Sequence, residues 1–475
     1  MIYLHWIVIL VFWLYVLAVA ITAVIVVMEN RQPVKTMAWL LVLLFLPVVG
    51  IVLFIFFGKD TRKEKYITQQ SLDQLSKRSL LGFAEQRDLV IPPQYEKLVS
   101  QFSTQNVALP FQGNEVDVYT SGYELFPALL QAIANAKHHV HLLTFIFADD
   151  PLGYLVSDAL IEKAKEGVEV RVVYDDVGNF SVKNDFFERM REAGVDVHAF
   201  MPVRFPSFTS KINYRNHRKL CVVDGKVGFI GGMNIALRYV KGTDVPWRDT
   251  HLRFKGKAVY GIQTAFLLDW YFVDRSVVSG KVYFPESAVA PKSGCLTQIV
   301  TSSPTSEWPE LTQGFVRILM NAQHYVYIET PYFMPTESVL FALCTCAISG
   351  VDVRLVVPMR GETKWVEWAS RSFYAEVLKA GVKIFLYKGG YNHSKVLVSD
   401  DTVCSCGSAN VDFRSFENNF EANAFIYDTD TVKQMKEVVM GDLEQCEPLL
   451  LEDFSKRPFL SRLTESAVRL FSPLM

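Results

Sequence analysis

The chain has 475 residues, of which 50% are hydrophobic, and its formal net charge at pH 7 is −2. This length exceeds one ordinary hydrophobic core, so two or three domains are expected. The mean hydropathy of +0.17 is high for a soluble enzyme. The near-neutral charge argues against a nucleic-acid-binding protein, because such proteins usually carry a clear basic excess.

Two uncharged apolar segments near the N-terminus predict a transmembrane helical hairpin over residues 1–58. Trp6 to Met28 and Met37 to Phe57 contain no charged side chain, and each is long enough, at about 20 residues, to cross the hydrocarbon layer as a helix. The connector Glu29 to Thr36 is so short that the helices would be antiparallel neighbours. A cleaved signal peptide is the alternative for the first segment. No Lys or Arg precedes that segment, however, and it is longer than the apolar core of a usual signal.

The distribution of basic residues predicts that the main body lies in the cytoplasm. The segment "GKDTRKEKY" from Gly58 carries four Lys and Arg residues, whereas the connector carries two, and basic residues favour the cytoplasmic side. The same cluster could attract anionic headgroups. Seven cysteines, an odd number, fit a reducing compartment. We therefore expect a multi-pass protein of the cytoplasmic membrane.

The rest of the chain predicts a linker and a duplicated α/β unit. Residues 59–110 are polar and mixed in charge, which is typical of a juxtamembrane linker with short helices. Further on, "IANAKHHVHLLTFIF" from Ile133 matches "LMNAQHYVYIETPYF" from Leu319, and "EGVEVRVVYD" matches "SGVDVRLVVP" in the same order. Each is a helix end followed by an apolar strand. Two lobes are expected, at 111–295 and 296–475.

The tail of the second lobe predicts an amphipathic C-terminal helix. Leu460, Leu463, Ala467, Leu470 and Phe471 recur at helical intervals. Such a helix could lie on a bilayer. Packing of the apolar stripe against its own domain is the commoner arrangement and is the expectation here.

One polar skeleton occurs twice, once in each predicted lobe. "NHRKLCVVDGKVGFIGGMN" and "NHSKVLVSDDTVCSCGSAN" both read HxK, four residues and Asp, then six residues and Gly-[Gly/Ser]-x-Asn. Each lies in a run typical of a strand, with a turn at the Asp. Side chains two apart on a strand share a face, so His and Lys point the same way. The matched positions are His217, Lys219, Asp224 and Asn234 in the first copy and His393, Lys395, Asp400 and Asn410 in the second.

This skeleton suits phosphoryl chemistry. An imidazole can attack phosphorus, while ammonium and amide donors hold the non-bridging oxygens. Two histidines permit one to act as nucleophile and the other to protonate the leaving alcohol and then activate the acceptor. Because imidazole titrates near neutrality, both roles are available without a metal or another cofactor. A lone histidine in a strand is normally a core residue, but that interpretation does not explain matched spacing in two lobes.

The roles of several other polar residues are less determined. Asp224 and Asp400 either hold turns and ion pairs or take part directly, and the sequence leaves both readings open. Asp249 and Glu421 follow the two Asn positions at similar distances and are predicted to orient the histidines. The histidines from His138 to His141 lack matched partners, so core or solvated roles are favoured over a metal site.

The paired skeleton resembles that of the phospholipase D superfamily, whose members form one active site between two such lobes. Within that superfamily the chain resembles the bacterial cardiolipin synthases over nearly its whole length. The segments that carry the resemblance are "ENRQPVKTMAWLLVLLFLPVVGIVLFIFFGKD", "VPWRDTHLRFKGKAV" and "GSANVDFRSFENNFEANA".

The resemblance implies a phosphatidyl transfer. Two phosphatidylglycerol molecules would give cardiolipin and glycerol through a phosphatidyl-histidine intermediate, without a nucleotide or a metal. Phosphatidylglycerol would be donor and acceptor, with membrane lipids and not nucleic acid as partners. Which histidine attacks is not settled by the resemblance, and His217 is favoured. The implied site comprises His217, Lys219, Asp224, His393, Lys395 and Asp400 as catalytic residues, Asn234, Ser408 and Asn410 at the phosphate, and Asp249 and Glu421 as orienting residues.

Three other functions remain to be separated from this one. A phospholipase D that releases phosphatidic acid would use the same residues with water as acceptor. A nuclease is disfavoured by the charge balance and the hairpin. A non-enzymatic scaffold would retain the motifs without activity.

Overall fold

The computed structural model describes residues 2–28, 33–54, 89, 91–106, 108–203, 213–285 and 294–474. The chain divides into two compact units, which are described separately. The first unit is Met1–Glu64 with Val203–Tyr214, and the second is Lys65–Pro202 with Arg215–Met475. The basic cluster between residues 59 and 65, and most of the predicted linker, lie outside the described residues.

The first unit contains three apolar helices, α1 (Ile2–Met28), α2 (Pro33–Phe45) and α3 (Pro47–Leu53). Within α1, His5–Met28 is long and apolar enough to cross a membrane. The prediction of one continuous helix from Met37 to Phe57 is wrong, because the described part is interrupted at Leu46, where φ is −133° and ψ is 60°. Pro47 lacks the amide proton that a continuous helix requires at that position. The tail of the predicted span, from residue 55, is not among the described residues.

The second unit is built from strands and helices that alternate along the chain. The strands are β1 (Glu115–Tyr119), β2 (His139–Thr144), β3 (Glu169–Asp175), β4 (Asp196–Phe200), β5 (Leu220–Val223), β6 (Val227–Gly231), β7 (Trp247–Arg248), β8 (His251–Lys255), β9 (Thr297–Ser302), β10 (Tyr325–Glu329), β11 (Phe333–Met334), β12 (Asp352–Pro358), β13 (Lys383–Tyr387), β14 (Tyr391–Asn392), β15 (Val396–Ser399), β16 (Val403–Gly407), β17 (Val411–Asp412), β18 (Glu421–Ile426) and β19 (Cys446–Leu449). The helices are α4 (Glu96–Asn106), α5 (Gly122–Ala134), α6 (Pro151–Lys165), α7 (Asn184–Glu192), α8 (Arg238–Lys241), α9 (Ala258–Asp274), α10 (Glu310–Asn321), α11 (Glu337–Ile348), α12 (Lys364–Lys379), α13 (Phe413–Glu417), α14 (Thr429–Glu444), α15 (Leu451–Ser455) and α16 (Phe459–Arg469).

Two large sheets with the same strand order confirm the duplicated α/β unit. The first sheet has the order β1-β8-β6-β5-β2-β3-β4, and the second has β9-β18-β16-β15-β10-β12-β13, extended by β19. Within each, three neighbouring strands are parallel, and the others pair antiparallel. The apolar runs predicted as strands are buried on both faces, as expected where helices cover a sheet. We call the part around the first sheet the first lobe and that around the second sheet the second lobe.

The two polar skeletons lie on equivalent hairpins in the two lobes. The first occupies the β5–β6 hairpin and the second the β15–β16 hairpin. The turns contain Asp224 and Asp400 with positive φ values of 54° and 53°. This left-handed conformation is tolerated better by Asp than by most residues.

Helix α4 differs from the expected linker. Its apolar residues Leu98 and Phe102 are fully buried in the core beside the second sheet. The side chain of Gln298, on β9, donates to the carbonyl of Val99 at 3.0 Å. Two apolar side chains at i and i+4 form one face of a helix, and this face packs in the core of the second lobe. This part of residues 59–110 therefore belongs to the second lobe.

Candidate active site

Backbone pairing between the lobes places each motif histidine beside the other lobe. The amide of His217 donates to the carbonyl of Phe420 at 2.9 Å, and the amide of His393 donates to the carbonyl of Arg248 at 2.6 Å. The second contact continues the parallel pairing of β14 with β7. Since Glu421 follows Phe420, and Asp249 follows Arg248, each histidine lies next to a carboxylate of the opposite lobe.

The two predicted orienting carboxylates bond the histidines crosswise. The Nδ1 atom of His217 lies 3.1 Å from both carboxylate oxygens of Glu421. The Nδ1 atom of His393 lies 2.7 Å from Oδ2 of Asp249. Both carboxylates are fully buried, while the histidine side chains retain 12% and 7% exposure. A carboxylate at Nδ1 fixes the tautomer, so Nε2 of each ring is the nitrogen left for chemistry.

The two motif lysines are buried beside the histidines. Lys219 donates to the backbone carbonyl of His217 at 2.5 Å. Lys395 lies 2.8 Å from Nδ1 of His393 and 3.8 Å from Oδ2 of Asp249. Two ammonium groups and two carboxylates thus surround two imidazoles.

Burial and these partners shift the pKa values of the site. Burial lowers the pKa of His217 and lowers that of His393 to about 3, with the Lys395 ammonium adding to the effect at His393. Burial also lowers the pKa of Lys219 well below its usual range, against the opposing charge of Glu421. The site without substrate therefore holds neutral imidazoles.

The pKa values of the two carboxyl groups move in the opposite sense to the effect of burial. Burial would raise the pKa of Asp249 and of Glu421. The partners of these groups reverse this, chiefly Lys395 for Asp249 and the imidazole of His217 for Glu421, and both pKa values are lowered. Both groups are therefore anionic at neutral pH.

The residues predicted to contact phosphate are near the histidines but already have protein partners. Asn234 accepts from the amide of Ile146 at 3.0 Å and donates to the hydroxyl of Tyr239 at 2.8 Å. Ser408 donates to Glu421 at 2.5 Å. Asn410 donates to Asp412 at 3.0 Å, while its buried Oδ1 has no hydrogen-bond partner within the described part of the chain. A phosphate contact by these residues stays a prediction.

Asp224 and Asp400 have structural contacts at the hairpin turns. Asp224 accepts from the backbone amides of Lys137, His138 and His139 at 2.7 to 3.0 Å. Asp400 makes the same three contacts with residues 323 to 325 at 2.7 to 3.0 Å. These contacts tie the turn to the start of a neighbouring strand, at the end of β5 or β15 away from the histidine. These contacts are of the structural kind that the sequence left open, and a direct catalytic part for either residue stays a prediction.

An aromatic wall around His393 was not predicted from the sequence. The ring centroids of Tyr239, Trp247, Tyr332 and Tyr391 lie 5.9, 5.5, 6.3 and 6.0 Å from that of His393. His217 has Phe145 as its neighbour, at 5.1 Å. The aromatic wall comes from both lobes and from separate elements, α8, β7, β14 and the segment before β11, so no local spacing in the sequence could have indicated it.

Arg218 was also missed, although it lies inside the first motif. Its guanidinium bonds both oxygens of Asp269 at 2.8 Å and the carbonyls of Glu421 and Ser302 at 3.0 Å. The variable position of HxK thus carries a buried clamp between the lobes. The adjacent histidine and its carboxylate are held by this clamp.

The unmatched histidines lie away from the candidate site. His139 and His141 are buried, and both contact the side chain of Gln263, at 3.1 and 2.7 Å. Burial lowers their pKa values to about 3 and about 4. In the described residues no group of three His, Cys, Asp or Glu side chains is arranged to hold a metal ion. The core role that was favoured for these histidines agrees with their burial.

Comparison with known proteins identifies the family. A family model described as "Cardiolipin synthase, PLD-like domain" matches residues 129–244 and 315–442, and one described as phospholipase D-nuclease N-terminal matches residues 11–59. The chain is 38% identical to cardiolipin synthase 2 of Bacillus anthracis over 95% of this chain and 89% of that protein. It is 37% identical to the major cardiolipin synthase ClsA of Bacillus subtilis over 97% of this chain and 98% of that protein.

A solved structure shares the fold. The crystal structure of phosphatidylserine synthase from Haemophilus influenzae aligns with 79% of this chain and 100% of its own, with a TM-score of 0.62 and 14% sequence identity. The two matched domain regions fall one in each lobe, on the two hairpins that carry the histidines. The chain belongs to the cardiolipin synthase family of phospholipase D-like proteins.

Proposed function

We propose that this protein is a membrane-bound cardiolipin synthase that transfers a phosphatidyl group between two phosphatidylglycerol molecules and releases glycerol. The observation that carries the proposal is the crossed pair of contacts, His217 with Glu421 and His393 with Asp249. It supplies two oriented imidazoles at one junction, which is what a two-step transfer at phosphorus needs.

In the first step, Nε2 of His217 attacks phosphorus. A P–N bond forms, the P–O bond to the glycerol headgroup breaks, and His393 gives its proton to the departing oxygen. Lys219 and Lys395 stabilise charge on the non-bridging oxygens. Glu421 stabilises the positive charge that develops on the attacking ring.

In the second step, His393 works in reverse. Its neutral ring takes the proton from a primary hydroxyl of the second phosphatidylglycerol, whose oxygen attacks phosphorus while the P–N bond to His217 breaks. Cardiolipin leaves, and both histidines return to their starting states. No group is consumed, so the cycle needs neither an energy-rich cofactor nor a redox partner.

Because the pKa of His393 is lowered, its imidazole must gain a proton when the substrate binds before it can act as the general acid. Without a bound phosphodiester the two rings are neutral, because burial lowers their pKa values. A phosphodiester adds one negative charge, which favours uptake of one proton. His393, bonded to Asp249, is the group that we propose to accept it.

The aromatic wall favours transfer over hydrolysis. Water competes with the acceptor alcohol for the phosphatidyl-histidine. The space around the general base must therefore admit the glycerol headgroup of the second phosphatidylglycerol and exclude loose water. The rings of Tyr239, Trp247, Tyr332 and Tyr391 line that space around His393. Among the described residues, the ring of Phe145 is the aromatic neighbour of His217, which suits the residue that meets the lipid phosphate.

The N-terminal unit fits a membrane anchor. His5–Met28 has the length and apolar composition of a span, and Val26 packs with Leu43 and Phe54 from the following helices. We propose a hairpin over residues 1–58, in the cytoplasmic membrane of a bacterium, with the lobes in the cytoplasm. The lobes are proposed to span 111–295 and 296–475, with α4 packed on the second. A phosphatidyl donor is costly to extract from a bilayer, since each buried methylene contributes about 0.8 kcal/mol.

The test is a product assay with the purified full-length chain and phosphatidylglycerol in mixed micelles. Cardiolipin and glycerol should form in equal amounts, and neither His217→Ala nor His393→Ala should turn over. Phosphatidic acid as the main product would instead establish a hydrolytic phospholipase D.

A second assay tests which histidine attacks. Phosphatidyl-p-nitrophenol carries a leaving group that departs without a proton, so it bypasses the general acid. His393→Ala should release a burst of p-nitrophenol equivalent to the enzyme, whereas His217→Ala should release none. The opposite pattern would exchange the two roles.

A further inference from the structure

The C-terminal helix α16 turns its apolar side chains away from the protein. The exposed fractions of its large apolar residues and of the two that follow it lie between 52% and 78%. Within the helix, Leu463 follows Phe459 by four positions and Leu460 by three, which puts these three side chains on one side. We call this the outer stripe; it consists of Phe459, Leu460, Leu463, Leu470 and Phe471. The expectation that the stripe packs against its own domain is therefore wrong.

The face of α16 that packs against the protein is mainly polar. Glu465 is buried and pairs with Arg371 at 3.0 Å and with Arg457. Arg469 pairs with Glu376 at 3.2 Å and stacks over the ring of Phe373. Val468 is the apolar residue of the helix that is buried. Rotating the helix to bury the outer stripe would leave a carboxylate without its two cations, so the orientation is set by these pairs.

An outward apolar stripe with basic neighbours is the pattern of a helix that lies at a membrane surface. Apolar residues scattered singly over a surface are normal in a soluble protein, whereas a contiguous exposed apolar face marks an interaction surface. Arg462 lies exposed on the same helix, and the exposed Lys456 just before it pairs with Asp453 at 3.0 Å. The guanidinium of Arg462 can reach anionic headgroups when the stripe enters the acyl boundary.

The start of the outer stripe lies at the same end of the second lobe as Tyr332 of the aromatic wall. Helices α16 and α12 run in the same direction, since Glu465 meets Arg371 and Arg469 meets Glu376. The start of α12 therefore lies beside the start of α16. Trp365, in the first turn of α12, is 60% exposed, and Glu362 just before it bonds the hydroxyl of Tyr332 in the aromatic wall at 2.5 Å.

We infer that the outer stripe of α16, with Trp365, docks on the surface of an anionic phospholipid bilayer and holds the mouth of the active site against the lipid. The inference deepens the proposed function by assigning the surface that presents the site to its substrate. Docking itself is measured without turnover, so its outcome is independent of which reaction the site performs.

The experiment places an environment-sensitive fluorophore on the full-length chain carrying His217→Ala, which does not consume phosphatidylglycerol, reconstituted into vesicles. Leu463→Cys carries the label on the outer stripe. Ile348→Cys is the matched control, because Ile348 is an apolar residue 72% exposed that precedes β12, at the end of that strand opposite Glu362. The unsubstituted chain measures labelling of the native cysteines, which are buried or half-buried. Vesicles contain phosphatidylethanolamine with phosphatidylglycerol, or phosphatidylcholine alone, each with and without quenchers on the acyl chains.

We expect the label at residue 463 to shift its emission to the blue and to be quenched from the acyl chains, more strongly with phosphatidylglycerol. The label at residue 348 should remain solvent-like. Solvent-like emission at both positions would overturn the inference, and so would equal quenching at both. A blue shift at residue 463 that rises with protein density but is not quenched by lipid would also overturn it, in favour of contact between two copies of the chain.

Discussion

Replacement of Asp249 by Asn tests whether the carboxylate of one lobe controls the histidine of the other. Asp249 lies 2.7 Å from Nδ1 of His393 and is fully buried. Its other oxygen accepts from the amide of Thr250 at 2.7 Å. In Asp249→Asn the amide oxygen should keep the Thr250 contact, which turns the NH₂ group toward His393. Nδ1 must then accept, so the proton moves to Nε2, the atom that the reaction needs.

The magnitude follows from two contributions. A hydrogen bond to a charged group contributes about 1.5–3 kcal/mol, so its loss alone would slow turnover about 10- to 150-fold. Holding a catalytic histidine in the wrong tautomer raises the loss to about 10⁴-fold. We therefore expect kcat for cardiolipin formation to fall by about 10²- to 10⁴-fold, with KM for phosphatidylglycerol changed much less.

The assay compares Asp249→Asn with Asp244→Asn, an exposed acidic residue five positions earlier. Asp244→Asn should unfold at the temperature of the unsubstituted protein, whereas Asp249→Asn loses the stabilisation that its lowered pKa represents, so kcat is expressed per folded enzyme. With phosphatidyl-p-nitrophenol, Asp249→Asn should recover most of its first-step rate, because that leaving group needs no acid. The reasoning fails if Asp249→Asn retains kcat within a few-fold of the unsubstituted protein, or if the activated substrate brings no recovery.

Three further predictions come from the same geometry. Glu421→Gln, which alters the partner of His217, should lower the first-step rate with both substrates, as stopped-flow kinetics would measure; recovery with the activated ester would contradict it. Binding of an unreactive phosphatidylglycerol analogue near pH 7 should take up about one proton per site. Burial holds the histidine pKa values below their usual range, and the phosphate charge reverses this. Calorimetry in buffers of different ionisation enthalpy measures the uptake, and no uptake would exclude substrate-induced protonation. Asp224→Ala should lower the free energy of unfolding by about 1–3 kcal/mol, through loss of its contacts to backbone amides. It should leave kcat of the remaining folded protein unchanged. A loss of kcat without loss of stability would instead indicate a catalytic role.

The sequence predicted the duplicated unit because both lobes repeat local signals. The spacing from His217 to Asn234 and from His393 to Asn410 describes a strand, a turn and a return strand, all set by neighbours along the chain. It could not predict the crossing of Asp249 and Glu421. That depends on β7 pairing with β14 and on Asn216 meeting Phe420, and such pairings between lobes leave no periodic trace in either segment.

The errors also have physical reasons. The apolar run after Met37 was long enough for one span, but length alone does not show the interruption at Leu46. Leu98, Val99 and Phe102 lie in a polar segment, so three apolar residues were too few to distinguish a linker from a packed helix. The stripe that includes Leu460 and Leu463 was recognised, yet its direction is decided by the pairing of Glu465 with Arg371 across the fold. A helical pattern shows which residues share a face and not what that face meets.

The crossed contacts imply that neither lobe contains a complete histidine–carboxylate pair. His217 bonds Glu421 and His393 bonds Asp249, and these two contacts are exchanged by an approximate two-fold relation between the lobes. In an isologous interface, residue i of one partner meets residue j of the other and the reverse contact follows. Two copies of a single lobe would therefore reproduce both contacts, but with identical surroundings for the two histidines. Joining the lobes in one chain removes that restriction. The places where the halves differ, Gly232 against Ser408 and Phe145 against the aromatic wall of His393, are therefore where a nucleophile and a general acid can become distinct.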